Sequence, residues 1–167
     1  MTNPTTHAKS FLGLSDEAYY AAFETLQILL ADEMILAQKL RKYHWNALDT
    51  QYKALNEQYR ILSLRVDSIA KRIWSYGMPV RGSLKEIIAM TRLQEHIGVN
   101  PNKQVILAAL IADHEALIGF IGNDIKKADD NYNNDLIGFL KTIQQMHEQM
   151  VLPLRAYVQN SNGHTHG

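Results

Sequence analysis

Apolar residues recur along most of this chain three and four positions apart, the repeat of one face of an α-helix. The longest unbroken run is Tyr52, Leu55, Tyr59, Leu62, Val66, Ile69 and Ile73, which predicts a helix from about Asp49 to Tyr76. An earlier helix is expected from near Ser15, where Asp16 and Glu17 suit the positive end of the helix dipole, to about Trp45. Gly77 and Pro79 close the second helix. Ser83 and Glu86 then make a capping box at the head of a short helix, Leu84 to Thr91. Asn100 followed by Pro101 signals the start of another long helix, running to about Lys127. After a polar stretch, Asp129 to Asn134, a last helix is predicted from about Asp135 to Gln159, with Pro153 inside it as a point of kinking or loosening.

The connections decide the architecture. The first two long helices are joined by a few residues, as are the last two, so each pair must be antiparallel. Between the pairs lie more than 20 residues, enough to run the length of a bundle and to carry the short helix on the way. The predicted fold class is all-α: a four-helix bundle over residues 15–159, with flexible tails at 1–14 and 160–167. The first helix is apolar on more than one face. Leu26, Leu30 and Leu40 lie together, while Ile28, Ile35 and Leu36 point elsewhere. A bundle helix needs one apolar stripe, so the excess is expected to be buried against other subunits; the alternative is that the crossover covers it.

Composition narrows the function classes. A chain of 167 residues with 46 % hydrophobic and 20 % charged residues has one domain's length and an ordinary globular make-up. The absence of cysteine excludes disulfides, thiolate metal sites and cysteine nucleophiles. Seventeen basic residues balance seventeen acidic ones, which gives no general attraction to nucleic acid or membrane. The first fourteen residues lack the basic start and apolar run of a secretory leader, and no uninterrupted apolar stretch approaches the roughly 18 residues of a membrane span. The expectation is a soluble cytoplasmic protein.

Three segments carry a family resemblance. Leu30-Ala31-Asp32, Lys39 and Tyr43-His44-Trp45-Asn46 resemble the first-helix signature of the Dps mini-ferritins, members of the ferritin-like superfamily. Val66 to Ile73 resembles their second helix, and Met146 to Met150 with Leu154 to Tyr157 their fourth. The order and spacing agree over about residues 15 to 158, and two hairpins joined by one crossover is the ferritin-like topology. The resemblance implies a dodecameric homo-oligomeric shell that takes up Fe(II), oxidises it at sites on the subunit two-folds and stores ferric mineral. It also implies that each site takes histidines from one subunit and carboxylates from its partner, and that some members shield DNA.

Tested position by position, that site is only partly kept. His44 matches the first family histidine and Asp67 the first acid of an i, i+4 pair on the second helix. Iron, or another divalent metal such as zinc, suits those ligands. The second acid of the pair is replaced by Lys71. A lysine ammonium has no lone pair, and removing its proton near neutral pH costs about 3 pK units, roughly 4–5 kcal/mol. Lys71 is also one turn from Asp67 and so placed to form an ion pair where a metal would bind. The second histidine falls at Tyr52 and the additional acid at Asn56. If the family's extra residues are missing from within the helix instead, Asn56 takes the histidine position. The oxidation centre is therefore expected to be degenerate.

Other polar groups add less. Asp129, Asp130 and Asp135 fall where the resemblance places the lining of three-fold pores, and rings of carboxylates ease a dication into a narrow channel. The alternative is a solvated acidic turn. His114 and His147 each precede a glutamate, so the neighbouring side chains diverge on a helix, and both histidines are read as structural. His96 is expected to end a crossover segment, and His164 and His166 to lie in a solvated tail. Only Lys9 is basic among the first sixteen residues and nothing basic follows Arg155, so DNA binding is expected to be weak or absent. The reading is an iron-binding, iron-storing shell subunit for oxidative-stress protection, with ferroxidase activity left open. Its rivals are a structural or DNA-protecting shell without ferroxidase activity, and a bundle that does not assemble.

Overall fold

A computed structural model describes residues 13–46, 53–98, 102–131 and 133–162. Within them the chain forms five helices and no strand: α1 (Asp16–Trp45), α2 (Lys53–Ser75), α3 (Leu84–Met90), α4 (Lys103–Asp130) and α5 (Asn134–Asn162). α1 pairs with α2 and α4 with α5, and the crossover carrying α3 runs between the two hairpins.

The helix ends follow local chemistry. Ser15 accepts from the Ala18 N–H at 3.1 Å, and the Ser83–Glu86 capping box forms in both directions. Gly77 adopts a φ of 72° and its N–H caps the Trp74 carbonyl, the left-handed turn that glycine takes without steric cost. Two boundaries differ from the expectation. α4 is capped by Asn102, whose Oδ1 accepts from the Gln104 and Val105 N–H groups, so Asn102 supplies the cap expected of Asn100. α5 passes through Pro153 and continues to Asn162, since a proline costs one internal N–H while the surrounding face stays packed.

The interior has two apolar clusters stacked along the bundle. One gathers Leu36, Leu40, Leu55, Leu62, Leu110 and Leu117 with Ile87 and Leu93 of the crossover. The other gathers Tyr19, Leu26, Leu30, Ile69, Ile121 and Leu140. α1 is buried on nearly all sides within one chain, and this corrects the argument that its second apolar face awaits another subunit. Ile87 and Leu93 of the crossover pack into the same cluster as Ile35 and Leu36. Gln27 also donates to the Pro79 carbonyl and accepts from the Arg81 N–H.

Asp32 and Lys39, read as signature residues, are tie-points of this arrangement. Asp32, fully buried, accepts from Thr91 Oγ1, from the Arg92 N–H and from the Arg92 guanidinium. Arg92 also reaches Asp124 at 2.8 Å, so one guanidinium joins α1, the crossover and α4. Burial pushes the Asp32 carboxyl above the usual carboxylate range, against the opposing pull of Arg92. Lys39 makes two contacts with Asp113 of α4, at 2.8 and 2.9 Å. α4 is long and apolar enough to cross a membrane by composition, with a mean hydropathy of 1.8 over its richest window. Its Asp113, His114 and Asp124 are instead bonded to partners inside the bundle.

Replacing Arg92 by Met strips buried Asp32 of its cation and leaves Asp124 only Lys127, at 3.7 Å, and should lower stability by about 3 kcal/mol or more in urea unfolding. The exposed Arg72–Asp135 pair is the control: Arg72→Met should cost about 1 kcal/mol or less.

Candidate metal centre

His44 lies in the last turn of α1, with its side chain exposed. Next to it Trp45 is 61 % exposed, and the Arg41 guanidinium stands 4.7 Å from its ring and 5.6 Å from that of Tyr59. Trp45 therefore packs on a cation at the α1–α2 surface. Asp67 and Lys71 are exposed on α2, and the ion pair expected between them does not form. An exposed lysine gains little from a neighbouring carboxylate in water and loses side-chain entropy by pairing.

His44 and Asp67 are far apart in one chain. The short connection puts the start of α2 beside the end of α1, and Asp67 lies roughly four turns into α2, about 20 Å along its axis. The two side chains cannot ligate one ion within a single chain. Asn56 is half-buried near the start of α2, and Tyr52 lies outside the described residues, as do His164 and His166. Among the described residues no three histidine, aspartate or glutamate side chains gather around a point suited to a metal ion.

The acidic turn behaves unevenly. Asp129 and Asp130 are exposed at the end of α4. Asp135, in the first turn of α5, is held by Arg72 at 2.8 Å, and Arg72 also lies 4.9 Å from the Phe139 ring. One of the three acids read as pore lining thus has its charge met within the chain. His96 sits in the crossover as expected, where its Nδ1 meets the Tyr43 hydroxyl and its carbonyl accepts from Lys42.

The least expected polar group is internal. Glu33 of α1, His114 of α4 and His147 of α5 are each 0 % exposed and form a hydrogen-bonded chain. His147 Nε2 lies 2.7 Å from Glu33 Oε1, and His147 Nδ1 lies 2.9 Å from His114 Nδ1. Glu33 Oε2 and His114 Nε2 have no hydrogen-bond partner among the described residues. Glu115 and Glu148 do diverge from their neighbouring histidines, Glu115 to meet Arg155 at 2.5 Å, but the spacing of the histidines does not predict the chain that runs from Glu33 through His147 to His114. The signal was present: Leu29-Glu33-Leu36, Leu110-His114-Leu117 and Ile143-His147-Met150 each put a polar residue at a core position of a helical repeat. Burial, and then the neighbouring His147, push the His114 imidazole down from 6.5 to about 3.

The topology, the crossover helix and the signature residues that fasten that crossover define a ferritin-like protein, and the ferritin-like domain family matches residues 23–163. The chain belongs to that family, and within it to the Dps proteins. It is 30 % identical over 99 residues to the DNA protection during starvation protein of Helicobacter pylori, covering 57 % of this chain and 69 % of that one. It is 29 % identical over 153 residues to an uncharacterized low temperature-induced protein of Nostoc, covering 89 % and 86 %. The crystal structure of a Dps protein from Bacillus brevis superposes with a TM-score of 0.78 at 21 % identity, over 87 % of this chain and 99 % of that one.

The replaced position on α2 yields a measurement. Lys71→Glu removes a cation one turn from Asp67 and adds a carboxylate, so Fe(II) affinity measured anaerobically by calorimetry should rise by at least about tenfold. That is about 1.4 kcal/mol, less than one close charge pair near a protein surface contributes. Tyr52→His or Asn56→His, added to Lys71→Glu, should raise it again, and the better of the two identifies the histidine register. Unchanged affinity in all of these variants would place iron elsewhere.

Proposed function

We propose that this chain is a subunit of a hollow cytoplasmic Dps-type shell, a dodecamer, which binds and stores iron and protects against oxidative stress through a degenerate ferroxidase centre. The observation that carries this reading is the separation of His44 from Asp67. Each is exposed, and only a second copy of the chain brings such a pair together. The surface around them favours association: Trp45, Leu64 and Trp74 are 61 %, 72 % and 72 % exposed, more apolar area than a lone bundle gains by presenting to water.

In this reading Fe(II) is the substrate. Asp67 of one subunit and His44 of another supply an oxygen and a nitrogen donor, while Lys71 keeps a positive charge beside them and weakens binding of the dication. Asp129 and Asp130 line the route of entry, with Asp135 contributing less because Arg72 holds it. Lys71 and the half-buried Asn56 favour a second reading, a shell kept for structure or DNA protection without ferroxidase activity.

Sedimentation at micromolar concentration and neutral pH should give one species near twelve times the 19.0 kDa chain. A monomer or simple dimer would end the shell reading. On the assembled protein, oxygen uptake after Fe(II) addition separates the remaining two. Slow oxidation that accelerates in Lys71→Glu supports the degenerate centre, whereas no uptake in either protein supports the structural shell.

Zero net charge predicts no stable DNA complex at about 0.15 M salt, where exposed charges are screened within about 8 Å. In a gel shift with plasmid, iron-free protein should leave the DNA mobile, and retention in the wells would contradict the weak-binding reading.

A further inference from the structure

The Glu33–His147–His114 chain takes no part in the proposed iron chemistry. Its three side chains come from three helices and lie at the seam between the two apolar clusters, where any unmet polar atom is costly. The donors do not converge: His147 stands between the other two, so one ion cannot take all three. What the arrangement can hold is protons.

The proton count is fixed by geometry. The contact between His147 Nε2 and Glu33 Oε1 takes one proton, as does the contact between the two Nδ1 atoms. A third proton fits without loss, because His147 can donate through both nitrogens while His114 accepts at Nδ1 and carries its own proton on Nε2. A further proton on the second ring does not fit. With both rings cationic, two N–H groups point at each other across 2.9 Å, and the attraction becomes repulsion.

We propose that Glu33, His147 and His114 form an acid-sensitive latch that fastens α1, α4 and α5 while at most one ring is charged, and opens when both are protonated. The surrounding charges offer the second proton little relief. Asp113 of α4 is taken by Lys39 of α1, and Asp32 of α1 and Asp124 of α4 are taken by Arg92 of the crossover. On α5, Glu148 faces solvent, and α2 carries Arg65, whose Nε has no hydrogen-bond partner among the described residues. Among the described residues no carboxylate other than Glu33 is hydrogen-bonded to either ring.

The sign of the pH effect follows. His114 holds a proton less well in the fold, at about 3, than in the unfolded chain, near 6.5. Its contribution to stability is complete above 6.5 and drains away as the pH falls toward 3. Urea unfolding followed by circular dichroism at a fixed chain concentration, from pH 7.5 to 4.5, reads this directly. Across the acid half of that range the folding equilibrium constant of the wild type should fall about tenfold per pH unit more steeply than that of His114→Gln, which keeps an amide in place of the ring but cannot titrate. Parallel profiles would overturn the latch. If His114→Gln does not fold, the ring nitrogens of the wild type decide by 15N NMR. His114 should keep a single N–H down to about pH 4, and a ring that gains its second proton near 6.5 would overturn the proposal.

Discussion

The guanidinium of Arg92 is the constraint on which this bundle rests. Two helical hairpins with apolar faces would pack in several rotations and offsets, since apolar contact has little directionality. Arg92 removes that freedom. It binds Asp32 of α1 and Asp124 of α4, and its own N–H reaches Asp32, so the crossover, the first hairpin and the second hairpin are fixed to one another. With Asp32 and Asp124 almost fully buried, any offset that broke one contact would strand a charge in the interior. The crossover held in this way lays Ile87 and Leu93 over α1, which is why a helix apolar on several faces is covered within a single chain.

The interior then divides into two apolar clusters with a polar seam. Glu33, His114 and His147 occupy positions where each helical repeat calls for an apolar residue, and Glu33 and His114 each keep one buried atom without a hydrogen-bond partner among the described residues. Replacing them with leucine-sized residues would give a continuous core. Their presence sets the alignment of α1, α4 and α5 by direction as well as by volume, because hydrogen bonds are lost over shifts that apolar contacts tolerate. The low polarity of the seam is also what makes it sensitive to an added proton.

The outer chemistry is arranged on the opposite principle. His44, Asp67 and Lys71 are exposed, His44 at the turn end of the α1–α2 hairpin and the other two one turn apart in the second half of α2. Asp67 and Lys71 share one face of α2, whereas His44 lies about four turns away from them. In the proposed shell their iron chemistry would depend on a second copy, and the exposed Trp45, Leu64 and Trp74 favour such an association. Lys71, one turn from Asp67, would set the electrostatic tone of the proposed site, since a fixed cation acts against a dication at any pH where it stays charged.

Much of the fold was legible in the residues themselves, because it depends on short-range rules. The three–four repeat, the Ser15 cap, the Ser83–Glu86 box and the Gly77 turn each act within a few positions, and connection lengths alone fixed the pairing of helices. The presence of Lys71 where the Dps resemblance calls for a carboxylate is likewise a fact of the sequence alone, since it depends on no packing. What the residues did not disclose were the long-range partnerships. That Asp32 meets Arg92 across 60 positions, that His114 meets His147 across 33, and that Asp67 forgoes its neighbour Lys71 are outcomes of burial and helix rotation. A sequence states which groups need partners. Only the packed bundle, by excluding water from some and leaving it to others, decided which of them found one inside the chain.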